Sequence, residues 1–212
     1  MKEQELLQII IAILAMTIIS GFNELISFDI SSLGLLLLFS FIIICGNILG
    51  KKIIALQLDS NVQHELWQWK RFGFRPAWHL KKSIPMGIIL PIFFTIFTLG
   101  YFKIFTFLTY ETRALKRRAA RRFGHMSFTE MTDFHNSLIG AAGIIAVLLI
   151  SFIGYWFADL STLSKLAAYY AFFNLLPISK LDGTQIFFGS RVIYATLAAI
   201  TLIFATYSIL LV

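Results

Sequence analysis

The sequence predicts an all-α polytopic membrane protein, and three observations carry that expectation. The chain is 58% hydrophobic and only 14% charged over 212 residues, whereas a soluble domain is about half apolar and about a quarter charged. Its mean hydropathy is +0.80. Its charges cluster between apolar windows of about 20 residues, the length that crosses the hydrocarbon core as a helix. About five to six membrane helices are expected, in a single membrane domain over 1–212.

The first apolar window runs from Leu6 to Ile26. The segment before it, Met1 to Glu5, carries two acids against one lysine, and no small-residue cleavage pattern follows. It therefore reads as a retained membrane helix rather than a signal peptide, and residues 1–32 form a peripheral first helix. A turn over Ser27–Ser32 leads to a second span, Leu33 to Leu56, with Lys51 and Lys52 near its end. From Gln57 to Ser83 the composition turns polar, aromatic and basic. Trp67, Trp69 and Trp78 stand among Lys70, Arg71, Arg75, Lys81 and Lys82, a mixture suited to the headgroup level of a bilayer.

Ile84 to Tyr110 is apolar but interrupted by Pro85, Pro91 and Gly100, with Lys103 late in it. The next segment, Arg113 to Arg122, holds six cations: Arg113, Lys116, Arg117, Arg118, Arg121 and Arg122. With Ala114, Leu115, Ala119 and Ala120 interleaved, it reads as an amphipathic helix on anionic lipid, with Phe123 and Phe128 as interfacial anchors. Retention of a basic loop in the cytoplasm accounts for the same residues. Asn136 to Ala158 is a clean span. Leu163 to Pro177 is shorter and stops at proline. Gln185 to Val212 is the last span.

Lys and Arg concentrate in cytoplasmic loops, so the net charge of +7 is expected to report topology. No nucleic-acid recognition fold accompanies it, and no nucleic-acid partner is expected. Both basic segments, 51–83 and 110–135, are then cytoplasmic, which a single crossing by 84–110 would forbid. A re-entrant hairpin over 84–110, reversing near Gly100, reconciles the charges. Cys45 is the only cysteine, so no intrachain disulfide can form.

The most informative stretch is Asn174-Leu175-Leu176-Pro177-Ile178-Ser179-Lys180-Leu181-Asp182-Gly183. An acid at a helix end in a membrane protein is costly and therefore a functional candidate, although Asp-Gly by itself makes an ordinary turn. The pattern N-x-x-P-x-x-x-L-D-G resembles the third-helix motif of the site-2 protease family of intramembrane zinc metalloproteases. Leu138 to Gly143 is similar to that family's small-residue helix start, with Ile144 where the family has proline. The resemblance extends over a core at about 33–205 and is sharp only at 174–183. It implies a zinc-ligand position at Asp182, and a role for Asn174 and Pro177 in opening a substrate helix.

The family also requires H-E-x-x-H, in which two histidines four apart on one helix face bind zinc and the glutamate activates water. This sequence has none. One register places Gly46 and Gly50 at the ligand positions and Asn47 at the glutamate. Small residues four apart also let membrane helices approach closely. A second register uses His64-Glu65-Leu66-Trp67-Gln68, with Gln68 in place of the second histidine. Glycine offers no ligand and asparagine no base, so the first register implies lost catalysis and no cofactor. Asp182 is then left to pair with Lys51, Lys52 or Lys180. The resemblance accordingly implies an inactive homologue that binds membrane-spanning helices of other proteins. Two alternatives stand beside it. One is an active protease assembling zinc from His64, Asp182 and Glu65 or His79. The other is a transporter or channel using Asp182. His125, Asp133 and His135 add a possible peripheral metal group, though solvated interfacial residues explain them as well.

Overall fold

A computed structural model describes residues 3–69, 83–115 and 131–210. The protein is a mostly helical membrane protein, and among the described residues four helices are long and apolar enough to cross a bilayer. These are α1 (Glu3–Ser20), α3 (Ile30–Gln57), α5 (Asp133–Tyr155) and α8 (Arg191–Leu210). Shorter helices are α2 (Phe22–Ile26), α4 (Met86–Phe97), α6 (Ser161–Leu175) and α7 (Asp182–Gly189). Two strands, β1 (Ser60–Leu66) and β2 (Leu108–Ala114), pair antiparallel with His64 opposite Tyr110.

The strands are a difference from the helical reading. Trp67, expected at a membrane surface, is only 2% exposed. Its N–H donates to Phe107 O, and its own carbonyl accepts from Gly87 N, so the ladder continues past the strand ends into the protein. Within β1 alternate residues are buried, the two-residue period of a half-buried strand. That period is too short to stand out between apolar helices. Arg113 and Ala114 belong to β2 rather than to an amphipathic helix. Lys116, Arg117, Arg118, Ala119, Ala120, Arg121, Arg122, Phe123 and Phe128 lie outside the described residues. So do Lys70, Arg71, Arg75, Trp78, His79, Lys81, Lys82 and His125.

Several expected spans have different bounds. The first breaks at Gly21, where a Cβ would meet Leu33 and Leu36 of α3, and the last breaks at Ser190 between α7 and α8. α3 begins earlier than expected because Asp29 caps it: its carboxylate accepts from Ser32 N and from the hydroxyls of Ser31 and Ser32. Such a cap satisfies amides that a helix start leaves without partners.

α3 and α5 pack side by side at their small residues. A Cβ at Gly46 would collide with Ile150, and one at Gly50 would meet Ala142 O and Ala146 Cβ. Close backbone approach of this kind is how helices gain contact in lipid, where no hydrophobic force separates helix from solvent. α5 and α6 are joined through a 3₁₀ turn at Ala158–Leu160, and Ser151 and Ser164 exchange hydrogen bonds across them.

The segment 84–110 leaves and returns on the same side of the protein. Its first residue, Ile84, pairs with Trp69, while Tyr110 pairs with His64. α4 leads away from that end to a reversal at Leu99 and Gly100, both at positive φ. There Gly100 meets Asn23, and Lys103 Nζ donates to Ser20 O at 2.6 Å. The chain then returns without helix to β2. α3 and α6 consequently run in the same direction and bring their C-terminal ends to one place.

Candidate functional site

The buried face of α3 includes Phe39, Ser40, Ile43, Ile44, Asn47, Ile48, Lys51 and Ala55. The three- and four-residue steps are those of one helix face. Beyond Ser40, two polar side chains, Asn47 and Lys51, interrupt it one turn apart, each only 1% exposed. The same apolar tract that carries α3 across lipid thus delivers an ammonium into the protein.

Lys51 Nζ lies 2.6 Å from Asp182 Oδ2, and both side chains are 1% exposed. The ammonium also stands 4.6 Å from the ring centroid of buried Tyr110, a favourable position for a cation over an aromatic face. Asn47, one turn earlier on α3, directs its amide toward the same carboxylate, off the geometry of a full hydrogen bond. Gly143 of α5 makes the room: a Cβ there would be 2.6 Å from Lys51 Cε and 3.0 Å from Asn47 Nδ2. Asp182 is the first residue of α7, where a carboxylate meets the positive end of the helix dipole. Gly183 beside it is pressed onto the Leu175 carbonyl, so any Cβ would collide with backbone. The end of α6 and the start of α7 therefore form one tight elbow.

Asn174 is 1% exposed. Its Nδ2 donates to Phe105 O at 2.9 Å and to Tyr170 O at 2.8 Å. It ties α6 to the extended return of the 84–110 segment. Pro177 follows the end of α6 and is exposed.

Of the three lysines considered for Asp182, only Lys51 reaches it. Lys52 Nζ lies 3.2 Å from Glu5 Oε1, and exposed Lys180 pairs with Glu111 at 3.5 Å. His64 is fully buried, with Nδ1 3.3 Å from the same Glu5 Oε1. Glu65 sits exposed on the opposite strand face, so it does not join His64. Asp133 is exposed, and His135 contacts the capping hydroxyl of Thr132 at the start of α5. Among the described residues there is no group of three or more His, Cys, Asp or Glu placed to hold a metal.

Beside this buried cluster, a cavity of about 600 Å³ opens at Tyr110, Thr112, Asn136, Lys180 and Gln185. An amide network lines it. Asn136 Nδ2 donates to Gln185 Oε1 at 2.7 Å, Gln185 Nε2 to Tyr110 O at 3.0 Å, and Tyr110 Oη to Asn136 O at 2.7 Å. Tyr110 is shared between the cavity wall and the Lys51 ammonium. The sequence did not place Tyr110 or Glu5 at a site and gave Gly143 only as part of a small-residue stretch, because their part depends on contacts between distant elements. The four-residue step from Asn47 to Lys51 was a signal available beforehand.

The chain matches no family model, no curated protein and no solved structure. Nor do the residues around Asp182 fit the zinc that the sequence resemblance implies. Among the described residues, one carboxylate is present, an ammonium already faces it, and the Asn47 amide and the Tyr110 ring stand beside the pair.

Proposed function

We propose that the protein is a catalytically inactive relative of the site-2 intramembrane metalloproteases that binds membrane-spanning helices of other proteins. The observation that carries this reading is the pairing of Asp182 with Lys51. The acid of the N-x-x-P-x-x-x-L-D-G motif meets a helix face bearing residues four apart, the arrangement in which the family holds its metal, and finds a lysine there. A scaffold built to admit a transmembrane substrate need not lose binding when it loses the metal; that step is analogy.

The proposed topology places the 84–110 segment as a re-entrant hairpin. Non-helical backbone at membrane depth is tolerated where protein covers it, and Ile104, Phe105 and Phe107 are buried. The end bearing Lys51, Lys52, Arg113, Lys180 and Arg191 is assigned to the cytoplasm. Lys103 and Lys165 are the described cations toward the opposite end. Arg113 is exposed on β2, suited with the basic residues after it to anionic lipid.

Reconstitution with a photocrosslinkable panel of model transmembrane helices tests this function. Captured, uncut helices, unaffected by zinc chelators and weakened by Asn174→Ala, are expected. A cleavage product abolished both by chelator and by Asp182→Asn would establish an active protease instead. Asp182-dependent flux across liposomes would point to a transporter.

A further inference from the structure

We propose that Asn47, Lys51 and Asp182 are the three side-chain positions of a metal-type site in which the Lys51 ammonium is the resident cation. The register of the site is then Asn47/Lys51, and Gly46 and Gly50 are the packing residues beside it. Geometry separates the two pairs. Gly46 and Gly50 face Ile150, Ala142 and Ala146 on α5; at Gly50 the Ala142 carbonyl leaves no room for a side chain, and at Gly46 the Ile150 terminal methyl fills the space. Asn47 and Lys51 are turned by one residue and face Asp182 and Gly143.

Two side chains four apart on one helix face, with a carboxylate brought in from a second helix, are the minimum that positions three ligands around one ion. An ammonium on a flexible stem supplies positive charge at the same place without any ligand set. The Asp182 carboxylate and the Tyr110 ring favour a cation there, whichever one is present, and both attractions are stronger out of water. Lys51 thus joins α3 to the α6–α7 elbow through its charge, where a metal would join them through coordination. Removing the ammonium and supplying imidazoles at both positions should convert the joint into a metal site.

The inference stands on the ion pair and the helix spacing; it rests on the proposed family reading only in treating the site as vestigial. Its test is cobalt(II) binding to full-length N47H/K51H in detergent micelles, followed by stoichiometry and by the intense visible absorption of tetrahedral cobalt. One cobalt per chain is expected, absent from the wild type and lost on adding Asp182→Ala. Failure of a folded N47H/K51H to bind cobalt would overturn the inference. So would binding that survives Asp182→Ala. Should N47H/K51H not fold, thermal unfolding of K51M against K51M/D182N decides. The double variant should regain most of the midpoint lost by the single one, and a double variant as unstable as K51M would overturn the counter-ion role. Helix capture by the wild type is a separate measurement, so either idea can fail without the other.

Discussion

Gly143 sits against the Lys51 side chain so closely that a Cβ there would lie 2.6 Å from Lys51 Cε and 2.8 Å from Lys51 Cγ. The absence of a side chain on α5 therefore lets the lysine of α3 extend to Asp182. Gly143→Val should displace the ammonium and overpack the helix pair, at a cost of about 1–3 kcal/mol. The thermal midpoint in detergent measures it, and Gly34→Val is the control, since nothing lies within 4 Å of a Cβ at that position.

Asp182→Ala strands a buried ammonium. Breaking one side of a buried ion pair costs about 3–5 kcal/mol, because the surviving charge has no compensation. The loss should far exceed that of Lys180→Ala, whose exposed pair with Glu111 belongs to a class contributing about 0–1 kcal/mol. Denaturant unfolding of the two variants side by side gives the comparison.

Asn174→Ala removes both donors that hold Phe105 O and Tyr170 O. A buried carbonyl left without a partner costs about 1–3 kcal/mol, and the loss falls on a returning segment with no helical bonds of its own. Amide exchange over residues 104–107 should accelerate more than exchange within α5. Equal acceleration in both would show that Asn174 acts on the whole fold.

Glu5 is a further joint, and it lies on the peripheral first helix. One carboxylate oxygen meets both Lys52 and His64, joining α1 to α3 and β1. Glu5→Gln should loosen α1 while leaving the Lys51–Asp182 pair intact. Limited proteolysis should then release the N-terminal helix first.

Asp29 gives a pH prediction at the surface. Hydrogen bonds from the Ser32 hydroxyl, then the Ser31 hydroxyl and the Ser32 amide, bring its pKa down from 3.8 to about 2. A depressed acid stabilises the folded state in its charged form. Its contribution is complete above the unfolded value near 3.8 and is lost as pH falls through about 2. The Asp29 carboxyl carbon, followed by NMR, should titrate near 2 in the wild type and near 4 in a Ser31→Ala/Ser32→Ala variant.

Composition and periodicity made the membrane helices legible, because about 20 successive apolar residues cannot remain in water and can cross lipid. The bounds of α3 shifted because its cap, Asp29, lies outside the apolar run. Asp182 was legible as a costly acid at a helix end, and Lys51 as one of three lysines offered to neutralise it. β1 and β2 were not legible as a pair: Glu65 and its partner Thr109 are 44 positions apart in the chain, and nothing local specifies so distant a register.

By itself, then, the sequence determined the solvent, the approximate spans and the residues too polar to sit in lipid without a partner. Those are consequences of transfer energies and of spacing along one chain. Only the tertiary structure decided which lysine meets Asp182, why Gly143 is small, that Asn174 holds Phe105, and that Tyr110 faces both the ammonium and the amide-lined cavity. Each depends on the distance and rotation between separate elements. A one-residue turn of α3, about 100°, is enough to replace Gly46 and Gly50 by Asn47 and Lys51 on the face that looks at Asp182.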